Sequence, residues 1–163
     1  MNTQFETLND GNVGGTNDWL TPPELLAKLG EFDLDPCASQ YQPWKTAKKQ
    51  YTVLDDGLTQ PWNGMVYCNP PYGKFAAEWI IRMSQHGNGI ALVFARTDTA
   101  LYHAHIFPTA TSILFLKGRL SFHTPGGGKS GTAGSPSILI AWGEEATERL
   151  KICGIEGRLV RLR

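Results

Sequence analysis

Residues 65–95 read MVYCNPPYGKFAAEWIIRMSQHGNGIALVFA, and this stretch decides the fold. Met65-Val66-Tyr67-Cys68 is a short run of apolar, β-branched and aromatic residues, the pattern of a buried strand. In residues 74–86 the side chains of Phe75, Trp79, Ile80 and Met83 recur on one helical face, and Gly87 supplies a C-terminal stop. Residues 89–95 are then almost wholly apolar over the length of a central strand covered on both faces. Strand, amphipathic helix and buried strand in that order predict a βαβ unit in an open α/β sheet.

The flanks extend this pattern. Thr21-Pro22-Pro23-Glu24 predicts a helix start, with Thr21 as N-cap, proline at N1 and Glu24 closing a capping box, and Gly30 ends the helix. Residues 32–35 read as a short strand, and 37–56 have room for one helix and a brief strand at 51–54. A weak helical pattern covers 99–106. Strands at 113–116 and 138–142 bracket a Gly/Ser/Pro-rich connection at 123–136, and 154–162 add an edge strand. The expected sheet is mostly parallel, with one antiparallel strand near the C-terminal end. Residues 1–17 are polar and aperiodic, a flexible leader ahead of a single domain at 18–163.

At 163 residues and 41% hydrophobic, the chain fills one core and argues against a two-domain enzyme. Equal numbers of basic and acidic side chains, fifteen each, exclude a histone-like electrostatic binder. The charge is nevertheless segregated: residues 1–70 carry four basic and nine acidic side chains, residues 71–163 eleven and six. That asymmetry points to a local anionic partner. Three widely spaced cysteines, Cys37, Cys68 and Cys153, form neither a disulfide framework nor a CxxC pair, which fits a reducing cytoplasm. The apolar runs fall short of the roughly 18 residues of a membrane helix, and no basic-then-apolar export signal opens the chain.

The chemistry concentrates in Asn69-Pro70-Pro71-Tyr72, between the buried strand and the amphipathic helix, where open α/β sheets bind ligands. Two prolines fix the backbone and remove two N–H donors, leaving carbonyls as acceptors. Asn69 adds a side-chain acceptor and Tyr72 a flat aromatic face. Such a turn can accept both hydrogens of an exocyclic amine while stacking on its ring. It can also serve simply as a rigid strand-to-helix turn.

Other features carry less. Gly126-Gly127-Gly128-Lys129-Ser130 is not a phosphate loop, because His123 stands where its first glycine belongs. It reads as a loop, either plain solvent-exposed chain or a mobile segment bringing Lys129 to a phosphate. His103 and His105 lack further ligands nearby and read as structural or surface residues, so no metal is expected. Arg96 and Arg119 each follow an apolar strand. Residues 71–140 carry six basic and two acidic side chains with four histidines, either a phosphate-facing surface or ordinary solvated charge.

Several segments in order carry a resemblance: Asp18-Trp19-Leu20-Thr21-Pro22-Pro23-Glu24-Leu25, Leu34-Asp35-Pro36-Cys37-Ala38-Ser39, and Asp55-Asp56-Gly57-Leu58 with Trp62. After the Asn69 quartet come Ala95-Arg96-Thr97-Asp98-Thr99, Lys117-Gly118-Arg119-Leu120-Ser121-Phe122, and Ser135. The quartet resembles the catalytic signature of amino-group methyltransferases that use S-adenosylmethionine. The ordered set is similar to the phage-type DNA N6-adenine methyltransferases over residues 18–143. One departure is that no glycine occurs between Gly30 and Gly57, where methyltransferases usually carry a glycine-rich loop.

The resemblance implies a single-domain Rossmann-like fold with helices on both faces, using S-adenosyl-L-methionine to methylate N6 of a flipped adenine in DNA. Trp19, Thr21, Pro22, Asp35, Pro36, Cys37, Ala38 and Asn69 would border the cofactor, and Asp55 or Asp56 would lie near its ribose or adenine. A helix N-cap is the plainer role for Asp35. Asn69, Pro70, Pro71 and Tyr72 would form the catalytic turn: Asn69 and the Pro70 carbonyl accept the amine hydrogens, and Tyr72 stacks on the base. Lys74, Arg96, Arg119 and Lys129 are the candidate DNA contacts. The same chemistry could serve a protein glutamine, an RNA base or cytosine N4, and a catalytically silent DNA-binding or anti-restriction relative could keep the fold.

Overall fold

A computed structural model describes residues 19–124 and 127–163. The expected leader at 1–17, Asp18 and Gly126 lie outside the described residues. In chain order the elements are α1 (Pro23–Leu29), β1 (Leu34–Asp35), β2 (Lys49–Gln50), β3 (Val66–Cys68), α2 (Ala76–His86) and β4 (Gly89–Phe94). A π-helical turn (Tyr102–Ile106), β5 (Ser112–Leu116), β6 (Ser121–His123), β7 (Lys129–Thr132), β8 (Ser137–Trp142), α3 (Glu144–Ile152) and β9 (Gly157–Arg161) complete the chain.

Seven strands form one sheet in the order β2-β1-β3-β4-β8-β5-β9, and β6 and β7 pair as a separate hairpin. Strands β2, β1, β3 and β4 are mutually parallel, while β8 runs antiparallel to both β4 and β5. Strand β9 pairs antiparallel with β5 at the edge, so two strands oppose the sheet direction rather than the one expected. This mixed α/β sheet is compatible with a Rossmann-like fold.

Alternation along the central strands divides the core into two layers. Ala91 and Val93 of β4, with Ile138, Ile140 and Trp142 of β8, meet Trp79, Ile80 and Met83 of α2 and Tyr102 and Ile106 of the π-helical turn. Ile90, Leu92, Leu139 and Ala141 face the other way, onto Leu25, Leu26 and Leu29 of α1 and Ala146 and Leu150 of α3. Helices therefore cover both faces. Helix α2 ends as the sequence predicts: Gly87 adopts the left-handed conformation and its N–H returns to the Met83 carbonyl at 2.9 Å.

Elsewhere the structure corrects the sequence reading. No helix forms in 37–56, and the brief strand is Lys49–Gln50 rather than 51–54. The Asp55 carboxylate accepts the Thr52 N–H at 2.8 Å and folds 52–55 into a turn, leaving Leu54 84% exposed. Because no helix follows β1, Asp35 is not an N-cap. The Thr21–Glu24 capping box is absent too, since Pro22 occupies the N-cap position without a side-chain bond. The connection at 123–136 holds part of the β6–β7 hairpin, which places Lys129 on a strand instead of in a loop. Helix α3 buries only Ala146, Thr147 and Leu150, too thin an apolar stripe to announce itself. Its first turn is acidic and its last basic, the polarity a helix macrodipole favours.

Candidate active site

Strands β1, β3 and β4 point their carboxyl ends to one edge of the sheet. From β1 the chain goes outward to β2 and later returns to β3 on the other side, so strand order reverses between β1 and β3. A crevice outside such a reversal is where open α/β sheets bind ligands. The turns leaving these strands carry the residues singled out above: 35–38 after β1, 69–72 after β3, and Arg96 after β4.

Asn69 is half-buried, and its amide is held from the donor side. Nδ2 donates to the Trp19 carbonyl at 2.8 Å and to Thr21 Oγ1 at 3.2 Å. A carbonyl only accepts, which fixes the amide with its nitrogen toward Trp19. The opposite atom, Oδ1, is buried with no hydrogen-bond partner among the described residues. Such an orphan acceptor costs about 1–3 kcal/mol of desolvation, so it marks a place where something else is meant to donate.

Thr21, one residue ahead of the N-cap, is engaged elsewhere. Its side chain is only 2% exposed, and Oγ1 lies 2.6 Å from the Tyr67 hydroxyl as well as beside Asn69. Burial pushes the Tyr67 phenol well above its usual pKa, which keeps it neutral in the core. Pro70 and Pro71 are buried behind Asn69. Tyr72 stacks on Phe94, with ring centroids 4.1 Å apart and planes within 10°, and meets Phe122 edge-on at 5.9 Å. Its hydroxyl is buried without a partner among the described residues, and burial pushes its pKa well up. A 480 Å³ cavity opens here, lined by Trp19, Tyr72, Phe94, Arg96, Phe122 and residues 130–135. An aromatic wall with a few polar edges suits a planar base.

Asp35 is 3% exposed and both of its carboxylate oxygens are engaged: Oδ1 accepts the Cys37 N–H at 3.0 Å and Oδ2 the Thr46 hydroxyl at 2.5 Å. Burial outweighs these bonds and pushes its pKa up to about 6. Asp35 thus shapes the 36–38 turn, in which Pro36 and Ala38 are buried and Cys37 is half-buried. The Asp55-Asp56-Gly57 turn packs directly on it. A Cβ at Gly57 would fall 1.9 Å from the Pro36 carbonyl oxygen, so only glycine permits the approach. The Asp55 carboxylate is tied to Thr52, whereas nothing among the described residues pairs with that of Asp56. Asp56 also has φ +53°, a left-handed conformation rare outside glycine.

The four candidate DNA contacts, Lys74, Arg96, Arg119 and Lys129, are exposed, and none enters an ion pair among the described residues. Arg96 lines the aromatic cavity, Arg119 reaches the Ala133 carbonyl at 3.4 Å, and Lys74 sits over the Phe75 ring. The hairpin bearing Lys129 is stitched to Leu20 by reciprocal backbone bonds between Leu20 and His123 of 2.8 and 3.0 Å. This brings the 19–22 segment, the quartet and the hairpin together. His103 packs edge-on against Phe107, and no metal-ligating cluster occurs among the described residues. Phe94, Phe122 and Tyr67 join the site without having been assigned roles in it. The available signals were Phe94 at a strand end and a phenol in an otherwise apolar strand.

No curated protein matches the chain. The family model described as DNA N-6-adenine-methyltransferase (Dam) matches residues 12–158. That match spans most of the sequence, so the chain belongs to the DNA N-6-adenine-methyltransferase (Dam) family.

Proposed function

We propose that this chain, with residues 18–163 as one catalytic domain, transfers a methyl group from S-adenosyl-L-methionine to N6 of an adenine flipped out of DNA. The observation that carries the reading is Asn69 Oδ1, a buried acceptor without a partner among the described residues, just after β3 and three residues before the stacked ring of Tyr72. The crevice fits the cofactor on the same grounds. Asn69 Oδ1 is buried with no partner among the described residues, the Asp56 carboxylate, likewise unpaired among them, can accept hydroxyls, and the Gly57–Pro36 contact draws the two turns together. Trp19, Thr21, Pro22, Pro36, Cys37 and Ala38 would border it, with Asp35 holding its turn in shape and Asp55 anchoring the neighbouring one. When bound, the cofactor supplies a methyl group already activated on a sulfonium.

The chain's own residues then provide alignment. Asn69 Oδ1 and the Pro70 carbonyl accept the two amine hydrogens, which turns the nitrogen lone pair away from them and toward the methyl. Pro71 keeps the turn rigid, and Tyr72, backed by Phe94, holds the ring by stacking. Lys74, Arg96, Arg119 and Lys129 contact phosphates around the cavity mouth, in line with their lack of ion-pair partners.

The test is direct. Purified protein is incubated with radiolabelled S-adenosylmethionine and, separately, DNA, RNA or protein extract, and labelled DNA is digested to nucleosides. Label confined to DNA and recovered as N6-methyladenine is the expected result. Label in protein or RNA, or recovery as N4-methylcytosine, would replace the substrate assignment; no transfer at all would favour a silent DNA-binding relative.

A further inference from the structure

We propose that Tyr67 and Thr21 are positioning residues that hold the Asn69 amide with its oxygen free, so that a phenol on the central sheet sets the direction of the catalytic turn. The proposal rests on the methyl-transfer reading above. Three polar atoms form a chain: the Tyr67 hydroxyl to Thr21 Oγ1 at 2.6 Å, and Thr21 Oγ1 to Asn69 Nδ2 at 3.2 Å. The Trp19 carbonyl accepts the other Nδ2 hydrogen at 2.8 Å. With both hydrogens used, rotating the amide by half a turn would set Oδ1 against the Trp19 carbonyl, oxygen against oxygen.

The anchor lies in the buried interior of the sheet. Tyr67 is fully buried on β3 between β1 and β4, and its ring packs on Phe32 with centroids 5.2 Å apart. Phenylalanine would fill that space equally well. Placing a hydroxyl there carries a burial penalty unless it is bonded, and its hydrogen bond leads to Thr21. Thr21 stands one residue ahead of its helix's N-cap, Pro22, so its hydroxyl caps nothing there and makes this bond instead. Two buried hydroxyls therefore serve one orientation.

The decisive variant is Tyr67→Phe, which removes one oxygen and keeps the shape. Its kcat should fall about ten-fold while KM for DNA and cofactor changes by less than about two-fold, as expected when alignment alone is lost. Thr21→Ser, which keeps the oxygen, should lose less than Thr21→Val. Adding Tyr67→Phe to Thr21→Val should cost nothing further, because the chain is already cut. A readout independent of activity is the Asn69 side-chain amide pair in ¹⁵N-labelled protein, identified by its loss in Asn69→Ala. That pair should shift and exchange about ten-fold faster with solvent in Tyr67→Phe, since it loses its order. Unchanged amide signals, an effect on KM alone, or fully additive losses would overturn the proposal. A wild-type protein that methylates nothing, yet whose Asn69 signals respond to Tyr67→Phe, would overturn the methyl-transfer reading while supporting the positioning contact.

Discussion

Between Gln42 and Arg82, six buried side-chain nitrogens and oxygens have no partner among the described residues, whereas beyond residue 111 only Ser137 Oγ is in that state. The C-terminal half satisfies its polar groups internally. Ser112 and Thr147 share a hydrogen bond of 2.8 Å, the Trp142 indole donates to Thr109 Oγ1 at 2.9 Å, and the Gly143 N–H donates to Thr111 Oγ1 at 2.9 Å. Among the described residues, ion pairs divide the same way: Lys117–Glu156, Arg149–Glu145, Lys151–Glu148 and Arg161–Glu144 all belong to this half, against Lys48–Asp33 alone in the other. Of the six unpartnered atoms, Asn69 Oδ1 and the Tyr72 hydroxyl stand just after β3 at the site, Trp79 Nε1 and Arg82 Nε lie on α2, and Gln42 Nε2 and Trp44 Nε1 lie in the connection from β1 to β2. A region shaped for stability pairs its polar atoms; a region shaped for binding leaves some of them for a ligand.

The strongest way to break this contrast is at Asn69. Asn69→Ala should lower the rate of methyl transfer by about a thousand-fold, comparable to removing a preorganised polar group from an active site, while the thermal midpoint shows a folded protein. Near-wild-type turnover would mean that the orphan acceptor has no part in the chemistry.

Asp35 comes next, because it is buried on the open side. Its folded pKa of about 6 lies above the ordinary 3.8, so the native chain holds an extra proton between those values. Stability should therefore fall as pH rises from about 4 to about 6, by on the order of 3 kcal/mol, and level off above that. Asp35→Asn should lack this decline in urea titrations across the same range. Parallel profiles for the two proteins would show that the carboxyl ionises normally in the fold.

On the closed side the expected damage is to stability alone. Thr147→Val leaves the Ser112 hydroxyl buried without its partner and should cost about 1–3 kcal/mol in chemical denaturation, with kcat unchanged. A loss of turnover without loss of stability would blur the division between the halves. The smallest effects belong to the unpaired cations. Lys74→Ala, Arg96→Ala, Arg119→Ala and Lys129→Ala should each flatten the log–log salt dependence of DNA affinity by up to about one unit, read by fluorescence anisotropy on a short duplex. Four wild-type slopes would return these residues to ordinary solvated charge.

What the sequence by itself determined is local in origin. The continuous apolar run of β4, the helical face of Trp79, Ile80 and Met83, and the glycine at 87 are each decided within a few residues, and they sufficed for the βαβ unit. The quartet was legible because two prolines constrain their own backbone wherever they stand. The tertiary structure decided the competition between partners. The sequence pattern assigns the Thr21 hydroxyl to its own helix, but that helix starts one residue later, behind Pro22, and the hydroxyl bonds Tyr67, 46 positions away. Asp35 could cap a following helix or hold Thr46, and the absence of an apolar stripe in 37–56 left Thr46. Which Asn69 atom stays free depends on a carbonyl 50 residues upstream. Phe94 and Phe122 meet across Tyr72 only once the sheet and the hairpin are both in place. A polar side chain offers the same hydrogen-bonding capacity in any context, and only the folded surroundings decide which of its possible partners is within 3 Å and shielded from water.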